Sequence, residues 1–88
     1  MIAASKSKIQ EWFLSGVGNG YKYMLIIYDR MEYPDDSDSP YYCESAEDAE
    51  KAIDEFRSDA LSEVMEVYDL LMDMEAQLSE KRAWHLPR

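Results

Sequence analysis

An uninterrupted apolar repeat in the second half of the chain constrains the fold more than any other sequence feature. Its members are Ala49, Ile53, Phe56, Ala60, Val64, Val67, Leu71, Met74 and Leu78. Eight steps span positions 49 to 78, an average of about 3.6 residues, which is the period of a straight α-helix. Neither Gly nor Pro occurs from Ser45 to Leu86. The pattern predicts one long helix over residues 46–82, with a bend or break near residues 58–62 as the alternative.

The length of this predicted helix indicates an oligomer. At 1.5 Å per residue, a helix over 46–82 is roughly 55 Å long, more than an 88-residue chain can cover. A second apolar stripe lies about 110° around the helix axis. It consists of Leu61, Met65, Tyr68 and Met72. The stripe predicts a homodimer that buries these four side chains, with contact to another partner as the alternative.

The first 20 residues predict an opening helix. Ile9, Trp12, Phe13 and Val17 form one apolar face, and the glycine-rich run 16–20 supplies a stop signal. That run does not suit a phosphate-binding loop, because such a loop follows a strand and precedes a helix, whereas here the order is reversed.

A hairpin is predicted next. Residues 21–33 alternate as a strand that is apolar on both faces in its middle, so both faces are expected to be covered. Residues 34–40 read as a loop, and residues 40–44 as a short edge strand that Pro40 can begin. The predicted fold is a single α+β domain over residues 1–88: an N-terminal helix, a two-stranded antiparallel hairpin and a long C-terminal helix capped by Ser45.

Net charge excludes several classes of partner. The chain has 19 acidic and 9 basic residues, a net charge of −10, of which residues 35–88 carry −11. Phosphate contacts need clustered Lys and Arg, so direct binding to nucleic acid or to an anionic membrane is not expected. The chain lacks the roughly 20 consecutive apolar residues of a membrane span. We therefore expect a soluble intracellular protein with a basic partner.

The sequence gives weak support for catalytic or metal-binding residues. The lone His85 has no visible nucleophile beside it, and acidic neighbours raise the pKa of the Cys43 thiol. The acidic loop 35–39 fails the EF-hand pattern at Pro40 and Tyr41, although cation binding there stays open. Asp29, which interrupts the apolar face of the strand, is either a binding group or a solvated strand end. The sequence predicts no enzyme and no cofactor.

Aromatic and acidic residues are the candidate partner-binding groups. The set comprises Tyr28, Tyr33, Tyr41, Tyr42, Glu63, Glu66, Asp69 and Asp73. Tyr pairs a rigid apolar body with a polar tip and is enriched at interfaces, but cross-strand packing explains these rings equally well. Likewise, a solvated helix face explains the acids as well as a binding surface does.

Three segments carry a resemblance to a known family. They read Trp12-Phe13-x-x-Gly16, Tyr23-Met24-x-Ile26-Ile27-x-Asp29 and, most specifically, Met65-Glu-Val-Tyr-Asp-Leu70 continued by Met72-Asp73-x-Glu75-x-Gln77-Leu78-x-Glu80-x-Arg82-Ala83-Trp84. This combination resembles a family of small uncharacterised proteins of tailed bacteriophages. The loop 35–39 departs from the compact acidic-aromatic link expected there, and the family supplies no catalytic residues to carry over.

The resemblance implies a viral protein that acts in the host cytoplasm. Small phage proteins commonly bind and neutralise a host factor, often a defence protein. The leading hypothesis is a non-enzymatic acidic inhibitor that mimics the charge of nucleic acid on a basic host protein. The alternative is a dimeric sponge that sequesters an immune-signalling nucleotide, with Tyr rings stacking on the base and Lys22, Arg30 or Arg82 contacting phosphate.

Overall fold

A three-stranded sheet lies between helices in the computed structural model, which describes residues 5–29 and 37–86. The elements are α1 (Lys6–Gly18), β1 (Tyr23–Asp29), β2 (Ser37–Cys43), α2 (Ala46–Arg57), β3 (Ser62–Asp69) and α3 (Met74–Leu78). The strands are antiparallel in the order β2-β1-β3. The class is α+β, but the predicted two-stranded hairpin with one long C-terminal helix is wrong.

The central strand β1 is apolar on both faces, as the sequence predicted, and both faces are covered. Residues 23–28 are all buried. On one face Leu25 and Ile27 pack with the apolar side of α2. On the other face Met24 and Ile26 pack with α1. This burial on both sides fixes the sheet as the middle layer of the fold.

The predicted hairpin is confirmed in its pairing. β1 and β2 run antiparallel from the pair Tyr23–Cys43 to the pair Asp29–Ser37. β2 is an edge strand with Pro40 inside it, and it begins three residues before the predicted start. Residues 30–36, which connect the two strands and include the first part of the acidic loop, lie outside the described residues.

A close contact at Gly16 seats α1 on the sheet. Ser5 caps the helix by accepting a bond from the Lys8 amide at 3.2 Å. A Cβ atom at Gly16 would lie 2.7 Å from the Tyr42 ring and 2.8 Å from Leu70. Glycine is therefore required here by space, because any side chain would push α1 away from β2.

α2 begins where predicted and ends much earlier. The Ser45 hydroxyl accepts a hydrogen bond from the Asp48 amide at 3.1 Å, which confirms the predicted cap. The helix ends at Arg57, and the Asp59 carboxylate then holds a turn by accepting bonds from the Leu61 amide and the Ser62 hydroxyl. The break lies in the 58–62 segment given as the alternative, but a strand follows it instead of more helix.

A β-bulge explains why the sequence of β3 imitates a helix. Ile26 pairs with Glu66 and Ile27 with Val64, so Met65 is an extra residue. In a regular strand, residues three apart face opposite sides. Because of the bulge, Val64 and Val67 both pack on the α2 side, while Tyr68 packs on the α1 side. The resulting spacing of three between buried residues is the spacing that predicted a helix.

The outer edge of β3 is covered by groups that follow it in the chain. Arg82 donates from Nε to the Met65 carbonyl at 2.8 Å and from a terminal nitrogen to the Val64 carbonyl at 3.2 Å. Val67 exchanges backbone hydrogen bonds with residues 83 and 85, which form a short parallel bridge. Farther along, the Gln77 side chain bonds to both the amide and the carbonyl of Asp69, each at 2.8 Å. The Arg82 guanidinium, the Gln77 side-chain amide and the bridge at residues 83–85 thus make the hydrogen bonds that a fourth strand would make at this edge.

Replacing Gly16 by Ala tests the contact between α1 and the sheet. We expect Gly16→Ala to lower the free energy of unfolding by about 1–3 kcal/mol, because the added methyl overlaps Tyr42 and Leu70. Gly18→Ala is the matched control, since nothing lies within 4 Å of its Cβ position; its stability should be unchanged or raised by up to about 1 kcal/mol. Urea denaturation measures both, and equal effects would contradict the close packing.

Replacing Gln77 tests the covered edge. Gln77→Ala leaves the Asp69 amide and carbonyl without their side-chain partner, so we expect a loss of about 1–3 kcal/mol in unfolding free energy. Glu75→Ala on the exposed side of the same helix should change stability by less than about 0.5 kcal/mol. Hydrogen exchange at the Asp69 amide should accelerate only in the Gln77 variant.

Candidate binding groove beside the edge strand

A groove of about 370 Å³ lies where the end of β2 meets α2. Tyr21, Tyr41 and Tyr42 line it with three carboxylates and one amine, those of Glu44, Asp48, Glu55 and Lys51. We call it the tyrosine–acid groove. The sheet places it, because neighbouring residues of an edge strand face opposite sides and so bring Tyr41 and Tyr42 around the same edge.

The aromatic side of the groove is held in place by contacts. The Tyr42 hydroxyl donates to the Trp12 carbonyl at 2.7 Å, and its ring stacks on Tyr21 with centroids 5.1 Å apart and planes 19° apart. Burial raises the pKa of Tyr42 above its ordinary value. Tyr41 packs edge-on against Phe56 at 5.3 Å and is 44% exposed. The groove therefore has two rings that are held by contacts, those of Tyr21 and Tyr42, and one accessible ring, that of Tyr41.

The acidic side of the groove continues onto the outer face of α2. The helix buries Ala49, Ala52 and Ile53 and exposes its charged residues. Residues 44–59 contain seven acids and two bases, a net charge of −5. Within the part of the chain that the structure describes, none of these seven acids forms an ion pair. The negative field of this face is therefore available to a partner.

Cys43 lines the groove and belongs to the core cluster between the sheet and α2. The side chain is 4% exposed, and burial raises the pKa of its thiol to about 11, with a smaller contribution from the Asp48 carboxylate. The sequence predicted the direction of this shift from the acidic neighbours alone. Burial is the larger cause.

Comparison with known proteins gives no precedent for the groove. No family model, curated protein or solved structure matches the chain. Within residues 5–29 and 37–86, no three carboxylate, thiol or imidazole groups are placed to hold a metal ion. No described helix is both long and apolar enough to cross a bilayer. The groove is interpreted from its own residues.

The structure divides the predicted partner-binding tyrosines. It brings Tyr41 and Tyr42 together in the tyrosine–acid groove. Tyr28, in contrast, is 8% exposed within β1, where its ring is a packing residue. Tyr33 lies outside the described residues. Tyr21, which the sequence did not single out, joins the groove because it precedes β1 and stacks on Tyr42.

The predicted acidic stripe of Glu63, Glu66, Asp69 and Asp73 is not a helix face, because the helix that would align it ends at Arg57. All four residues make interactions. Glu66 accepts from the Tyr68 hydroxyl at 3.0 Å, Asp69 from the Leu71 amide at 2.9 Å, and Asp73 caps α3. Glu63 is exposed on β3.

The four residues predicted to form a dimer interface do not share a surface. Tyr68 is 2% exposed and packs edge-on against Phe13, and burial raises the pKa of its hydroxyl. Met65 is the half-buried bulge residue. Leu61 and Met72 are exposed in the turns before and after β3. The stripe was wrong because it assumed a helix; the homodimer stays a prediction, without that support.

The predicted nucleotide contacts are separated in the fold. The Lys22 carbonyl bonds to the Leu70 amide, just beyond the end of β3. Arg82 bonds at the other end, at Val64 and Met65. Arg30 lies outside the described residues.

The remaining single residues have structural settings. Asp29 ends β1, between Ser37 and Ser62 of the neighbouring strands. His85 is not isolated, because its Nε2 lies 2.8 Å from the Glu80 carboxylate.

The acids of the groove had a sequence signal that was not used. Asp48 and Glu55 are seven residues apart, which puts them on one side of a helix, with Lys51 between them. Glu44 is four residues before Asp48. The signal was lost because the acids of the whole segment were assigned to one continuous helix.

Thiol chemistry tests the burial of Cys43. With its pKa raised to about 11, the folded thiol should react with iodoacetamide at pH 8 about a hundred-fold more slowly than the unfolded one. Because folding raises this pKa from 9.0, its contribution to stability is present below pH 9 and is lost as the pH rises toward 11. Alkylation rates with and without urea measure the first effect. Equal rates in both conditions would show an accessible thiol.

Proposed function

We propose that the protein is a non-enzymatic binding protein that docks through the tyrosine–acid groove and the outer face of α2 onto a basic surface of another protein. The observation that carries this proposal is the joining of three Tyr rings to three carboxylates at one edge of the sheet. The helix beside them has a strongly acidic outer face.

Complementary chemistry specifies the partner's side of the interface. A Lys or Arg side chain in the groove would meet carboxylates at close range and could lie against the exposed face of Tyr41. Cation–π contact adds about 0.5–2 kcal/mol to such an arrangement. The surrounding acids accelerate the encounter with a basic surface and make it salt-dependent.

The biological setting that we propose follows from the resemblance to small tailed-phage proteins. In that setting the protein acts in the host cytoplasm and occupies the nucleic-acid-binding surface of a host protein, with defence proteins as the favoured targets. Support for this target class is the sign of the charge, since a surface that binds phosphates also attracts an array of carboxylates.

Substitutions that neutralise carboxylates of the groove provide the test. We expect Glu44→Gln combined with Glu55→Gln to weaken retention of a basic host protein by about ten-fold or more, because both carboxylates line the groove. The matched control is Glu11→Gln combined with Glu75→Gln, two exposed acids elsewhere, which should weaken retention by less than about three-fold. Immobilised protein, host lysate and a salt gradient give the measurement.

Two further results decide the mechanism. Duplex DNA or RNA added in solution should displace the captured protein if the two share one surface. Tyr41→Ala should weaken retention, whereas Leu14→Ala, which removes another exposed large apolar side chain, from α1, should not. Equal weakening by both charge pairs, with no effect of Tyr41, would reduce the interaction to nonspecific attraction and contradict the proposal.

A further inference from the structure

A second cavity, of about 350 Å³, lies on the opposite edge of the sheet, beside β3. Arg57 and Arg82 line it together with Trp84. The guanidinium carbon of Arg82 lies 4.7 Å from the Trp84 ring centroid, and that of Arg57 lies 6.0 Å from it. We call it the arginine–tryptophan cavity. Two of the nine basic residues of an acidic chain thus border one indole ring.

Arg82 is fixed in a way that leaves donors for a ligand. Its bonds to the Val64 and Met65 carbonyls use Nε and one terminal nitrogen. A guanidinium has five N–H donors, so about three remain after these two bonds. The same guanidinium lies over the Trp84 ring, which restricts its position further. The side chain is therefore held in place before any ligand arrives, which reduces the entropy lost on binding.

Arg57 supplies the second positive charge. It is the last residue of α2, where the negative end of the helix dipole favours a cation, and its side chain is exposed. Across residues 5–29 and 37–86, neither Arg57 nor Arg82 forms an ion pair with a carboxylate. Neither guanidinium is therefore held in a salt bridge by the described part of the chain.

Two carboxylates also border the cavity and limit what it can accept. The Asp59 carboxylate is occupied in the turn, where it accepts bonds from the Leu61 amide and the Ser62 hydroxyl. Glu63 is exposed at the rim. Because Glu63 repels an extended polyanion, the cavity suits a small ligand whose charge is confined to one group.

We propose that the arginine–tryptophan cavity binds a phosphate monoester group of a small molecule. A phosphate dianion matches two guanidinium charges, and its oxygens accept from forked N–H donors, whereas a carboxylate neutralises only one of the two. The site is separate from the tyrosine–acid groove, since it lies at the other edge of the sheet and presents two guanidinium groups.

Trp84 itself reports on the site. The chain has two Trp residues, so Trp12→Phe leaves Trp84 as the single indole. In that background we titrate inorganic phosphate, adenosine monophosphate and acetate at constant ionic strength and follow indole emission. We expect saturable changes with both phosphates and none with acetate. Calorimetry on the unsubstituted protein repeats the measurement should the Trp12 variant fail to fold.

Matched substitutions on α2 distinguish a specific phosphate site from an effect of net charge. Arg57→Gln should weaken phosphate binding by about ten-fold or more, because it removes one of the two guanidiniums. Lys51→Gln removes the same charge from the same helix but lines the other groove, so binding should change by less than about two-fold. Arg57→Lys should bind more weakly than the parent, since it keeps the charge and loses the fork.

The contrary results are equally defined. Absence of a saturable phosphate signal in both emission and calorimetry would overturn the proposal, as would equal responses to phosphate and acetate. Equal weakening by Arg57→Gln and Lys51→Gln would reduce the effect to net charge. Binding of inorganic phosphate without adenosine monophosphate would exclude the monoester.

Discussion

The hydrogen-bonding groups along the outer edge of β3 impose the constraint on which the rest of the fold depends. A three-stranded sheet with β1 in the centre leaves two edges, and the amides and carbonyls of an edge need partners. The chain satisfies β3 with Gln77, Arg82 and the bridge at residues 83–85. Because these groups follow β3 closely in sequence, the segment 77–85 is tied to this edge.

This capping also explains the arrangement of the two candidate sites. Arg82 lies at the edge because it donates hydrogen bonds to the carbonyls of the bulge. Two residues later, Trp84 packs on the α2 side of the sheet. Both then meet Arg57 at the end of α2. At the opposite edge, Tyr41 and Tyr42 of β2 meet the acids of α2. One edge of the sheet therefore combines tyrosines with carboxylates, whereas the other combines two guanidiniums, two carboxylates and a tryptophan.

Local signals predicted the first half of the fold well. The opening helix, the antiparallel pairing of β1 with β2 and the Ser45 cap depend on contacts between near neighbours, and the apolar residues on both faces of β1 indicated its burial. β3 was missed because its apolar spacing is set by a bulge opposite Ile26 and Ile27, which is a long-range feature. A single extra residue, Met65, put Val64 and Val67 on the same side of the strand and so created a step of three.

The candidate groove was predictable in part for the same reason. Tyr41 and Tyr42 were found because their strand was found. The acids were placed on the wrong surface, since Glu66, Asp69 and Asp73 were assigned to a helix and in fact satisfy amides and hydroxyls near β3. Counting charge along the chain located the acidic half correctly, but only the fold decides which carboxylates remain available.

Pro40, in the middle of β2, has a consequence for the behaviour of the protein at high concentration. Its ring nitrogen carries no hydrogen and cannot donate a hydrogen bond. A strand added at this edge would therefore find no donor at Pro40, the residue that pairs with Ile26. The far edge is already occupied by the chain's own tail. Neither edge of the described sheet offers a complete template for edge-to-edge growth, which disfavours cross-β assembly through these strands.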